Sequence, residues 1–154
     1  MADSHAPLDL DPLAAFRLDG KVAIVTGASV GLGRRFARVL HAAGATVVVA
    51  ARRGELLVDL ATELGPRIIP VPTDLRSADD RRALVDQATA VGNGRLDVLV
   101  NNAGISHIGP AETETLDSFE EVVDVNLTAL FHLCQLAYEP MVASGNGSIV
   151  NVSS

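Results

Sequence analysis

The chain has 154 residues, 48% of them hydrophobic and 3% aromatic, with 12 Lys and Arg against 19 Asp and Glu for a formal charge of −7. That is one domain's worth of chain with ample apolar surface for a core, which excludes disorder as the main state. The 13 Gly and 7 Pro follow no period, which excludes a collagen-like chain. An acidic chain this poor in aromatics also lacks the clustered cations of a nucleic-acid or anionic-membrane surface and the stacking platforms of a single-strand binder. No apolar run approaches the roughly 20 residues of a membrane span. Met1 to Asp11 carries three acids and no basic residue, unlike a secretory signal. Cys134, the single cysteine, can form no intramolecular disulfide, so a reducing, cytoplasmic setting is expected.

Residues 1–19 are expected to form a tail and residues 20–154 one domain. Val22-Ala23-Ile24-Val25 is a continuous apolar run closed by glycine, the pattern of a strand buried on both faces. Gly33 to Ala43 carries Phe36, Val39 and Leu40 at helical spacing, with Gly44 as its stop. Thr46 to Ala50 is a β-branched strand, Glu55 to Leu64 a helix stopped by Gly65-Pro66, and Ile68 to Val71 a third strand. Ser77 to Val91 is a third helix with Leu84, Val85 and Ala88 inward, and Ser77 with Asp80 forms a helix-start pair. Val98 to Asn101 is a fourth strand. A long helical stretch follows from about Asp117 to Val142, interrupted near Asn126, and Ser148 to Ser153 is a fifth strand. Five alternations of strand and helix predict a doubly wound parallel α/β sheet with five strands and helices on both faces.

Thr26-Gly27-Ala28-Ser29-Val30-Gly31-Leu32-Gly33 joins the first strand to the first helix. Gly27 permits a tight turn, Gly31 lets backbone approach a pyrophosphate, and Gly33 allows close helix packing. The helix N-terminus behind the loop favours anions. The spacing, Gly-x-x-x-Gly-x-Gly, resembles that of the short-chain dehydrogenase/reductase family, and other segments agree in order. Asp74-Leu75 follows the third strand, Asn101-Asn102-Ala103-Gly104 ends the fourth, Asn126 lies in Asp124-Val125-Asn126-Leu127, and Ser153-Ser154 ends the fifth. The resemblance runs from about Leu18 to Ser154. It implies a Rossmann-type domain that binds NAD(P) and serves hydride transfer between an alcohol or carbonyl substrate and the nicotinamide. Asp74-Leu75 then contacts the adenine, Asn126 is the catalytic asparagine and Ser154, rather than Ser153, the catalytic serine. Such proteins are commonly homo-oligomers, and the helix from Asn126 to Val142 is placed to pair between subunits.

Cofactor choice follows from charge. A carboxylate about 20 residues beyond the glycine loop holds the ribose 2′-hydroxyl of NAD and would repel a 2′-phosphate. Here the second strand runs into Arg52-Arg53, whose guanidinium forks suit phosphate oxygens. NADP(H) is therefore expected ahead of NAD(H), with Arg52 as the main ligand and the Ser29 hydroxyl as an added contact.

The family's proton donor is a tyrosine in Tyr-x-x-x-Lys, a dozen or so residues past the serine, and these 154 residues hold no such pair. Tyr138 lies on the helix before the fifth strand, and Lys21, the single lysine, precedes the first strand. The chain is thus expected to be part of a longer enzyme and inactive alone. A non-catalytic dinucleotide-binding or interaction module ending at Ser154 is the alternative. The fifth strand is expected to stand as an edge with unpaired backbone groups, giving marginal stability and self-association. Four histidines (His5, His41, His107 and His132) and Cys134 show no metal-ligand spacing, so no metal is expected. Arg34, Arg35 and Arg38 are expected to be solvated, Cys134 to be a small core residue, and His107 to sit in a loop near the site mouth.

Overall fold

A computed structural model describes residues 13–153; Ser154, His5 and most of the expected tail lie outside the described residues. Five parallel strands form one sheet in the order β3-β2-β1-β4-β5. They are β1 (Val22–Thr26), β2 (Thr46–Ala51), β3 (Ile68–Pro72), β4 (Val98–Asn101) and β5 (Ser148–Asn151). The helices between them are α1 (Gly31–Ala42), α2 (Gly54–Leu64), α3 (Ala78–Val91), α4 (Leu116–Val123) and α5 (Ala129–Ser144). The expected doubly wound fold is the observed one.

Strand alternation splits the core between the two faces of the sheet. Ile24, Val48 and Leu99 meet Leu84, Val85 and Ala88 of α3 and Leu133, Ala137 and Met141 of α5. Val25, Val47, Val49 and Val100 meet Ala37 of α1 and Leu57 and Leu60 of α2. Each fully buried Leu contributes about 1.5–3 kcal/mol. Leu18 already packs on the second cluster and donates its N–H to Ala43 O, so the fold engages the chain before β1. On α1, Ala37 is fully buried and Phe36 and Leu40 pack on the second cluster, while Val39 is 55% exposed.

The helix ends are set by the expected devices. The Ser77 hydroxyl caps α3 by accepting from Asp80 N, and Gly65 closes α2 with φ +95°. Between α4 and α5 the helix continues as a π-helical turn over Asp124–Thr128, the interruption expected near Asn126. Such turns add a residue to the helix and commonly mark functional sites. At the far end of the sheet from that turn, Lys21 bonds Asp97, which also accepts from Val22 N and is almost fully buried. Among the described residues β5 is an edge, and every one of its residues is exposed, Ile149 and Val150 included. None of the helices among the described residues is long and apolar enough to cross a membrane.

Candidate cofactor site

The carboxyl ends of β1 to β4 open onto a cleft of about 360 Å³. It lies where the strand order reverses between β1 and β4, the place at which open α/β sheets hold ligands. Gly27, Ser29 and Val30 form one wall, Arg52 and Arg53 stand after β2, and Asp74 and Leu75 follow β3. Gly104 and Ile105 follow β4, and Val125 of the π-turn closes the rim.

The glycine loop owes its shape to contacts that side chains would obstruct. Gly27 has φ +66°, and a Cβ there would lie 2.9 Å from Ala103 Cα. A Cβ on Gly33 would lie 2.4 Å from Gly27 O and 2.5 Å from Asn102 Nδ2. Gly31, by contrast, has φ +60° and open space around it, while Val30 offers α1 no side-chain cap. The first turn of α1 also lacks an acidic residue. An uncapped, unblocked helix start facing a cleft fits a pyrophosphate. Leu32 stands beside it, 62% exposed.

Several motif residues are committed to protein groups. Thr26 is 1% exposed; its hydroxyl accepts from Asn102 N and Ala103 N, both at 3.0 Å, and donates to Val100 O at 3.3 Å. Asn102 Nδ2 donates to Thr26 O at 2.9 Å. The loops after β1 and β4 are thereby locked together, which fixes Ala103 and Gly104 at the cleft. Asn101 turns to the other face of the sheet, donating to Asn151 Oδ1 at 3.0 Å and to Cys134 Sγ at 3.6 Å. Thr26 and Asn101 thus brace the site from beneath.

Asn126 does not bond its own interrupted helix. Its Nδ2 donates to Ile105 O at 2.8 Å and its Oδ1 accepts from Ile105 N at 2.9 Å, a two-point clamp on the cleft's edge. Arg53 donates to Ser29 Oγ at 3.1 Å, and Arg52 and Arg53 both line the cleft and are exposed. Arg34 and Arg38 are not simply solvated: both pair with Glu63 of α2. His107 pairs with Glu121 at 3.3 Å, and Cys134 is half-buried against the α3–α5 core. Tyr138 lies on α5, 63% exposed.

Behind the cleft, Asp80 holds the loop after β3 by accepting from Asp74 N and from the Ser77 hydroxyl; these bonds hold its carboxyl below the usual carboxylate range. Arg81, 7% exposed, donates from Nη1 to Leu75 O and from Nε to His132 Nδ1 at 2.8 Å. Sequence reasoning missed this pair, because nothing local links residues on α3 and α5.

The model of the short chain dehydrogenase family matches residues 21–154. The chain belongs to the short-chain dehydrogenase/reductase family. Among curated relatives, Nodulation protein G of Rhizobium sp. (strain N33) is 43% identical over 139 residues, covering 90% of this chain and 56% of the relative. D-threitol dehydrogenase of Mycolicibacterium smegmatis is 37% identical over 142 residues, covering 90% of this chain and 54% of the relative. A solved 3-ketoacyl-(acyl-carrier-protein) reductase of Brucella melitensis, complexed with NADH, superposes with a TM-score of 0.83 at 33% identity, over 89% of this chain and 58% of that one. A short-chain type dehydrogenase/reductase from Mycobacterium marinum gives the same TM-score at 36% identity, over 90% of this chain and 56% of its own. The chain spans about half the length of the curated relatives it matches. Short-chain dehydrogenases are NAD(P)-binding oxidoreductases.

Proposed function

We propose that the cleft binds NADP(H) ahead of NAD(H) and serves hydride transfer to or from a small alcohol or carbonyl compound. The supporting observation is the meeting, in one cleft, of an open glycine loop with two arginines directly after β2. The turn at Gly27 to Gly31 and the N–H groups opening α1 would hold the pyrophosphate. Arg52, together with Arg53 and the Ser29 hydroxyl it bonds, would take the 2′-phosphate through forked, charge-assisted donors. Asp74 and Leu75 would flank the adenine, and Ala103, Gly104 and Ile105 the nicotinamide end. When bound, the nicotinamide supplies or accepts the hydride. Asn126 keeps Ile105 in place through its clamp, and the serine role is assigned to Ser154, outside the described residues.

Proton transfer to the substrate oxygen needs a donor poised near working pH. Within these residues Tyr138 has no lysine four positions on, since Val142 stands there, and Lys21 is tied to Asp97 at the far end of the sheet. That favours, for these 154 residues taken alone, binding without turnover. The domain of residues 20–154, a cytoplasmic setting and homo-oligomer formation belong to the same proposal. Calorimetric titration with NADP⁺ and NAD⁺ tests it: saturable binding with NADP⁺ the tighter is expected, and an Arg52→Glu variant that left the NADP⁺/NAD⁺ affinity ratio unchanged would overturn the cofactor assignment. NADPH oxidation by the 154-residue chain at an enzyme's rate would overturn the binding-only reading.

A further inference from the structure

The Arg81–His132 pair is an unusual use of a buried cation. Arg81 sits on α3 with 7% of its surface exposed, yet among the described residues it forms no ion pair. Its partners are two neutral acceptors, the Leu75 carbonyl and His132 Nδ1. A buried charge without a counter-ion is costly unless every donor direction it presents is used. The two acceptors belong to different parts of the fold: Leu75 lines the cofactor cleft, whereas His132 lies on α5. Arg81 therefore bridges a helix packed beneath the sheet and the loop expected to flank the adenine.

We propose that Arg81 is a positioning residue for the loop after β3, and that neutral His132 is the latch that keeps it in place. The proposal rests on the cofactor reading of the cleft, but its structural half can be measured without cofactor. Accepting from Arg81 Nε requires His132 Nδ1 to carry no proton. Burial first, then the charges of Arg81 and Arg82, hold the imidazole below its ordinary value of 6.5. Both of those cations come from α3. From β4, the polar side chain near this part of α5 is uncharged Asn101, which bonds Cys134. Asp97, just before β4, is spent on Lys21 and Val22 N. On the helix leading into α5, Asp124 is exposed. Protonation of His132 would thus replace an acceptor by a second cation against Arg81, with no carboxylate among the described residues bonded to either. Arg81 would swing away, and Leu75 would lose its tether. Cofactor binding would weaken in proportion to the fraction of loops left untethered.

The test follows amide hydrogen exchange of residues 73–77 between pH 5.5 and 8, corrected for intrinsic rates, alongside NADP⁺ titrations over the same range. The amides of Thr73, Asp74, Arg76 and Ser77 are all hydrogen-bonded and report loop order directly. The 2′-phosphate of NADP⁺ itself titrates at about pH 6, so affinities are compared as variant-to-wild-type ratios at each pH. In the wild type, corrected exchange is expected to rise only as pH falls through the lowered His132 value, which lies below the ordinary 6.5. His132→Gln, which keeps a neutral acceptor at every pH, is expected to fold and bind as the wild type does at pH 8 and to lose the acid-side rise. Arg81→Met is expected to exchange fast at all pH values and to bind NADP⁺ about tenfold more weakly at pH 8, as a loop held only about a tenth of the time would.

An acid-side rise that persists in His132→Gln, or an Arg81→Met protein with wild-type exchange and affinity, overturns the latch. If Arg81→Met does not fold, the comparison of wild type with His132→Gln still decides. Exchange that follows the expected pattern in a protein that binds no NADP⁺ would uphold the tether and sink the cofactor reading. Normal NADP⁺ binding without the pattern would do the reverse.

Discussion

Within the glycine loop, Gly33 is the position where one added carbon would meet the closest contacts. A methyl group there would stand 2.4 Å from Gly27 O and 2.5 Å from Asn102 Nδ2, where ordinary contacts begin at 3.4 Å. A shift of about 1 Å is therefore needed in a segment packed at interior density, where overpacking costs about 1–3 kcal/mol. Asn102 Nδ2 cannot retreat freely, because it bonds Thr26 O; losing that bond adds about 1 kcal/mol. Alanine's better helix propensity offsets at most about 1 kcal/mol. Gly33→Ala should thus destabilise by about 1–3 kcal/mol on balance, and should also weaken NADP⁺ binding, since the loop must move. Gly31→Ala is the matched control: it meets no neighbour and carries only the left-handed backbone penalty of about 1–2 kcal/mol. Urea unfolding at constant m-value, with NADP⁺ calorimetry on the same proteins, measures both effects. A Gly33→Ala protein within about 0.5 kcal/mol of wild type, the scatter of neutral surface changes, and with unchanged affinity would refute the reasoning.

Other outcomes follow from single contacts. Thr26→Val removes the acceptor shared by Asn102 N and Ala103 N and should cost about 2–3 kcal/mol in urea unfolding, with Thr26→Ser recovering most of it; equal stabilities would contradict the bracing role. Asp97→Ala leaves Val22 N–H and Lys21 without their partner and should cost about 2 kcal/mol, the burial of Asp97 outweighing the partial exposure of Lys21. Asp80 titrates below its ordinary value through its bonds to Asp74 N and Ser77, so its contribution is fully present above pH 3.8 and is lost as pH falls through the lowered value. Asp80→Asn should flatten that acid-side loss in unfolding curves, and an unchanged profile would count against it. Exposed β5 should drive self-association that grows with concentration; a single monomeric peak in size-exclusion chromatography at every concentration would speak against the open edge.

Much of this architecture is legible in the sequence because it is local. Strand β4 spans Val98–Asn101 as its apolar run implies, and Ser77 caps α3 because its hydroxyl lies within reach of Asp80 N. The interruption expected near Asn126 is a π-helical turn over Asp124–Thr128. What escaped was set by tertiary contact. Arg34 and Arg38 meet Glu63 only once α1 and α2 lie side by side. Arg53 reaches Ser29 across loops from different strands, and Asn126 on the turn between α4 and α5 clamps Ile105 after β4. The Arg81–His132 bond joins residues 51 apart on separate helices, and no spacing rule could have paired them.

The most direct test of the account is calorimetric titration of the folded protein with NADP⁺ and NAD⁺ at pH 8, repeated with Arg52→Glu and Arg53→Glu. Saturable one-to-one binding, tighter for NADP⁺ and with that preference lost in the arginine variants, is the expected result. A folded protein that binds neither dinucleotide, or binds NAD⁺ the more tightly, would contradict it.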